Sequence, residues 1–144
     1  MPGFIHRAKI DIMENANHIS NVKPAFHLLK VTFGLLPIAA GADKFTNILT
    51  NWEQYLNPDI KAMLPFSAHV FMMIVGGIEI LAGLWVLSKT STGGIVVALW
   101  LTAIALTLVA SGKFLDVAVR DLVLAISVYA TARIARKLEL SDAT

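Results

Sequence analysis

The sequence predicts an all-α membrane protein, an antiparallel up-down bundle of four transmembrane helices. Three observations carry that expectation. Hydrophobic residues make up 56% of the 144-residue chain and charged residues only 15%, against the ~25% charged of an ordinary soluble domain. A particle this small has a high ratio of surface to volume, so the surplus apolar surface has to face lipid. The stretch from Thr90 to Gly112 runs for 23 residues without a charge, enough to cross a ~30 Å hydrocarbon layer at ~1.5 Å per residue. The links between the apolar stretches are short and rich in Gly and Ser, which makes successive helices antiparallel neighbours. A soluble four-helix bundle would need a polar outer face, and residues 95–110 offer only Thr102 and Thr107 as polar side chains.

Each element follows in order. Residues 1–24 form a polar N-terminal arm containing His6, Arg7, Lys9, Asp11 and Glu14. The arm lacks the apolar core of a signal peptide, so the first apolar segment is expected to stay in the protein. The transmembrane domain covers 25–137. Its first span, about 26–49, is built on the uncharged stretch Val31 to Ala42, and Pro37 predicts a kink within it. Residues 50–64 predict a short amphipathic segment on the membrane surface, with Trp52 and Tyr55 at headgroup level. The second span, about 66–88, contains one charge, Glu79. The third is about 93–111 and the fourth about 115–137, built on Leu122 to Ala132. The pair Gly93-Gly94 is read as part of the turn before the third span. Residues 138–144 form a C-terminal tail.

The basic residues set the orientation. The side bearing both termini and the 88–94 turn holds eight Lys and Arg (Arg7, Lys9, Lys23, Lys30, Lys89, Arg133, Arg136 and Lys137), and the opposite side holds four, Lys44, Lys61, Lys113 and Arg120. The positive-inside rule then places both termini in the cytoplasm. Because the cations are spread in ones and twos, no nucleic-acid partner is expected. The absence of Cys excludes thiolate metal sites and iron–sulfur clusters. Haem held by two His within the chain is not expected, because His27 and His69 belong to opposite leaflets. His69, Asp43 and Asp121 have no metal-ligand spacing, and no phosphate-cradling or nucleophile-elbow motif occurs.

Polar residues inside spans face a bundle interior or a cavity. Lys30, Gly34, Pro37, Gly41 and Lys44 share one helical face, as do His69, Gly76, Glu79 and Gly83. The glycines beside Glu79 allow a neighbouring backbone to approach closely. On the fourth span Asp116, Arg120, Ser127 and Thr131 align, with Asp121 about a quarter-turn away. Two clusters are expected. The outer one combines Asp43, Lys44, His69, Arg120 and Asp121, with Asp116 at similar depth. It reads either as an ion-pair clasp or as a site for a polar headgroup, quinone ring or anionic solute. The inner one is Glu79, with Lys30 as its reachable cation through a long flexible stem. Unpaired, Glu79 would be neutral at that depth and either structural or proton-handling.

Several of these residues resemble a known family. Phe33-Gly34 through Gly41-Ala42-Asp43-Lys44-Phe45, then Gly77-Ile78-Glu79-Ile80-Leu81-Ala82-Gly83, then an Asp near the start of the fourth span, look like the DoxX/DoxD-like integral membrane proteins. In that comparison Lys30 takes the basic position entering the first span, Gly41 and Lys44 form its G-x-x-K, Glu79 matches the acidic residue of the second span and Asp121 that of the fourth. The resemblance covers about Phe26 to Arg136, while the N-terminal arm and Pro37 depart from it. It implies a quinone-proximal or accessory subunit associated with a membrane redox complex, with quinone or bound lipid as the cofactor class and no catalytic activity of its own. The alternatives are a structural subunit of a larger membrane complex and a small-solute or proton-coupled carrier. The partners expected are the lipid bilayer and other membrane subunits or further copies of the chain.

Overall fold

The computed structural model describes residues 1–143. The described chain is helical with no strand: α1 is Pro2–Thr46, α2 Pro58–Met63, α3 Ala68–Ser88, α4 Thr90–Ser111 and α5 Leu115–Asp142, with a 3₁₀ turn at Trp52–Tyr55 between α1 and α2. Three helices are long and apolar enough to cross a membrane: α1, α3 and α4. Much of their apolar surface is exposed. Leu81, Leu99 and Leu106 are each more than 60% accessible, which suits contact with lipid and not with water.

Local chemistry sets the helix ends. Asn47 adopts a left-handed conformation (φ 50°, ψ 39°) and returns its N–H to the Asp43 carbonyl, closing α1. The Ser67 side chain accepts from the Val70 N–H at the start of α3, satisfying one of the amides a helix start leaves open. Gly112 (φ 67°) closes α4, where a residue without Cβ adopts that conformation at no steric cost. Lys89 alone separates α3 from α4.

Boundaries differ from the sequence reading in two places. The polar arm is not separate from the first span: α1 passes through both Pro24 and Pro37 as one 45-residue helix. Its N-terminal part exposes Phe4, Ile5 and Ile12. Gly93 and Gly94 lie inside α4 and not in a turn, because two close approaches require them there. A Cβ on Gly93 would fall 2.6 Å from the Val86 N, and one on Gly94 2.9 Å from the Ala132 Cβ. In the segment after α1 both aromatic rings pack on neighbouring elements. Tyr55 packs edge-on against Phe114 with centroids 4.8 Å apart, and Trp52 turns toward the end of α1.

The two most extensive packing pairs are α1 with α3 and α4 with α5, and α3 joins them by packing on α4. Glycines bring α1 and α3 together. A Cβ on Gly41 would lie 2.5 Å from the Gly76 carbonyl oxygen, and one on Gly83 2.5 Å from that of Gly34. The matching seven-residue spacings, 34 to 41 and 76 to 83, run in opposite directions and fix an antiparallel register. On α5 the inward stripe is Ala118, Asp121, Ala125, Val128, Ala132 and Ala135. Small side chains along it allow α4 to sit close. The central core joins Phe33, Val86, Val97, Ala98 and Val128.

This packing predicts that Gly41→Val lowers the thermal midpoint in detergent, by an overpacking cost of about 1–3 kcal/mol. Gly77→Ala meets nothing within 4 Å and is expected to be neutral or to gain up to about 1 kcal/mol of helix stability. Equal melting of the two variants would contradict the register.

Candidate functional site

A Cα–Cβ bond in a helix tilts toward the helix N-terminus. Lys44, near the end of α1, therefore aims back into the packed region, and Glu79 on the antiparallel α3 aims toward it. With Gly41 opposite Gly76, the two side chains converge. The Lys44 Nζ sits 2.5 Å from Glu79 Oε2, and both side chains are buried. This corrects the pairing of Glu79 with Lys30. Lys30 lies on the other side of the Gly34–Gly83 contact, with its Cβ tilted away, at the level of Ser88. The separation into inner and outer clusters goes with it, since Glu79 is bound to an outer residue. The unpaired state considered for Glu79 is not the one found.

Two indoles complete the pair. Trp100 on α4 donates its Nε1–H to Glu79 Oε1 at 3.4 Å, so each carboxylate oxygen faces a donor. The Lys44 ammonium lies 3.7 Å from the centroid of the Trp52 ring, a cation–π contact in place of water. One ion pair thus ties together α1, the 3₁₀ turn, α3 and α4. Trp52 is anchored in turn by Asp43, whose Oδ2 accepts its indole N–H at 2.8 Å.

Asp43 is occupied by the chain that follows it. Its carboxylate accepts the backbone N–H groups of Ile48 (2.9 Å) and Leu49 (3.1 Å) and the Thr46 hydroxyl (3.1 Å). Charge-assisted bonds to backbone amides are among the stronger hydrogen bonds available to a carboxylate. Asp43 therefore shapes the turn that delivers Trp52 to Lys44.

The remaining expected residues divide. Asp121 is buried, on the inward stripe of α5, and takes Arg120 Nε and Nη2 at 3.3 Å. Arg120 is 63% exposed along its side chain, so it reaches back from the surface. His69 is outside the cluster: it is exposed and its Nδ1 lies 3.3 Å from Glu53 Oε1 of the 3₁₀ turn. Asp116 is exposed in the first turn of α5, where a negative charge suits the helix N-terminus. The alignment of Asp116 with Arg120 is thus an outward face, and Asp121 belongs to the inward one. The seven-residue spacing of Ala118, Ala125 and Ala132 marks that inward face in the sequence.

Trp52 as a cap on Lys44 and Trp100 as a partner of Glu79 were not read from the sequence. A lone tryptophan in a long apolar run carries a signal, because its N–H needs an acceptor when buried. Chemically the arrangement is closed. Every fully buried side-chain N and O among the described residues has a hydrogen-bond partner, and no group of three or more metal-ligating side chains forms among them.

Graded substitution of Trp52 separates its two contacts. Trp52→Phe keeps a ring over Lys44 and loses the N–H to Asp43, whereas Trp52→Leu loses both. Thermal midpoints in detergent are expected to fall in the order wild type, Phe, Leu, with the last step about 1 kcal/mol. Identical midpoints for the two variants would remove the cation–π contact from the account. No family model, curated protein or solved structure matches this chain.

Proposed function

We propose that the chain crosses a bacterial cytoplasmic membrane four times, as an antiparallel up-down bundle with both termini inside, and serves as an accessory subunit of a membrane complex. Its intramembrane charges act as a clasp and not as a reaction centre. The observation that carries this reading is the closure of the Lys44–Glu79 pair. One carboxylate oxygen is taken by an ammonium, the other by an indole, and the outer face of the ammonium by a second indole. A transport pathway or catalytic carboxylate needs a face open to solute or water.

The fourth crossing is α5. Its charges gather at its ends, Asp116, Arg120 and Asp121 at one and Arg133, Arg136, Lys137, Glu139 and Asp142 at the other, leaving 122–132 uncharged between them. The cation asymmetry of eight against four supports the orientation. Association with a redox complex, and a position close to quinone, rest only on the DoxX-like pattern that includes Lys30, Gly41, Lys44, Glu79 and Asp121.

The test purifies the tagged full chain from its own membranes in mild detergent and identifies neighbouring subunits by mass spectrometry. An accessory role predicts stoichiometric retention of other integral membrane subunits. Solute-specific flux in proteoliposomes that is abolished by Glu79→Gln would establish a carrier instead. Orientation is read separately: Lys89→Cys is expected to be labelled only from the cytoplasmic side, and periplasmic labelling would invert the topology.

A further inference from the structure

At the end of the molecule opposite the clasp, α1 and α5 diverge around the α3–α4 turn and leave a cleft of about 250 Å³. Fourteen residues of α1, roughly 21 Å of helix, separate it from Lys44. Lys30 forms one wall and Glu139 the other, with Phe26 and Leu138 as apolar lining between them. Neither charge has an ion-pair partner among the described residues. Lys30 is half-buried and has no polar partner among the described residues. Glu139 is exposed, and its carboxylate accepts the Ser91 hydroxyl, 2.9 Å from each of its oxygens. The two side chains make no ion pair with one another. Neighbouring charges are already engaged, Lys23 with Asp142 at 3.6 Å and His27 with the Lys23 carbonyl at 3.0 Å.

A ligand that meets both walls carries an anion and a cation on a body with an apolar end. The cleft is smaller than the ~300–1,000 Å³ of pockets that enclose cofactors, which favours a headgroup over a ring system. We infer that the cleft between α1 and α5 is a phospholipid headgroup site for phosphoethanolamine, with the phosphodiester on Lys30, the ammonium on Glu139 and the glycerol end against Phe26 and Leu138. Its place at the cation-rich end of the helices fits a lipid of the inner leaflet. The inference rests on the membrane-spanning reading and is independent of any redox association.

Native mass spectrometry of the delipidated full chain in detergent tests it, with phosphatidylethanolamine, phosphatidylglycerol and water-soluble phosphoethanolamine as probes. Wild type is expected to retain phosphatidylethanolamine in preference to phosphatidylglycerol. Lys30→Gln is expected to weaken both lipids about tenfold, as loss of one charge-assisted hydrogen bond implies, and Lys30→Arg to restore them. Glu139→Gln is expected to weaken phosphatidylethanolamine alone. Equal retention of the two lipids, unchanged by either substitution, would overturn the site. Soluble phosphoethanolamine binding as tightly as the lipid would overturn the lipid as its occupant. Release of the chain from membranes by alkaline carbonate would remove the membrane reading itself, an outcome distinct from a membrane-retained chain indifferent to these lipids.

Discussion

Lys44 and Glu79 constrain everything around them, because two charges taken out of water cost several kcal/mol each unless they meet with good geometry and their remaining valences are filled. Meeting requires α1 and α3 to approach closely, and Gly34, Gly41, Gly76 and Gly83 make that approach possible. Filling the remaining valences requires Trp100 on α4 and Trp52 beyond the end of α1. Placing Trp52 requires the turn organised by Asp43. One interaction therefore explains why two glycine pairs, two tryptophans and an aspartate occupy the positions they do. A buried pair of this kind need not add net stability over an apolar isostere. Its effect is to reject other registers, since sliding α1 along α3 by one turn would separate the charges in an apolar medium.

Much of this was legible in the residues. Apolar run lengths placed the helices, and helical spacing put Gly34 with Gly41, and Gly76 with Gly83, on one face each, without naming the helix that each face meets. Part of the site's composition was legible too: Asp43, Lys44, Glu79 and Asp121 are all buried. The pairing within it was not. Spacing along one helix says which residues share a face but not the axial offset between two helices, and the choice between Lys30 and Lys44 depends on that offset and on the direction in which Cβ atoms tilt. Arg120 and His69 were placed inward because charges near spans are costly, yet both are close enough to helix ends to reach the surface. The continuous α1 was hidden because the local polarity of residues 1–24 says where a membrane ends and not where a helix does.

The two ends of the molecule differ in a way that bears on function. At the Lys44 end, opposite charges are matched within the chain and covered by rings. At the Lys30 end, a cation and a carboxylate line one cleft without meeting. The first arrangement holds helices together, and the second is where the headgroup site is proposed.

The account depends on the Lys44–Glu79 pair acting as a unit, and a double-mutant cycle in detergent measures that directly. With Lys44→Met, Glu79→Leu and the combined variant, each single substitution is expected to cost about 3–5 kcal/mol by stranding a buried charge. The double variant is expected to cost no more than either alone, giving a large coupling energy. Additive losses in the double variant, with no coupling between the two positions, would contradict the clasp.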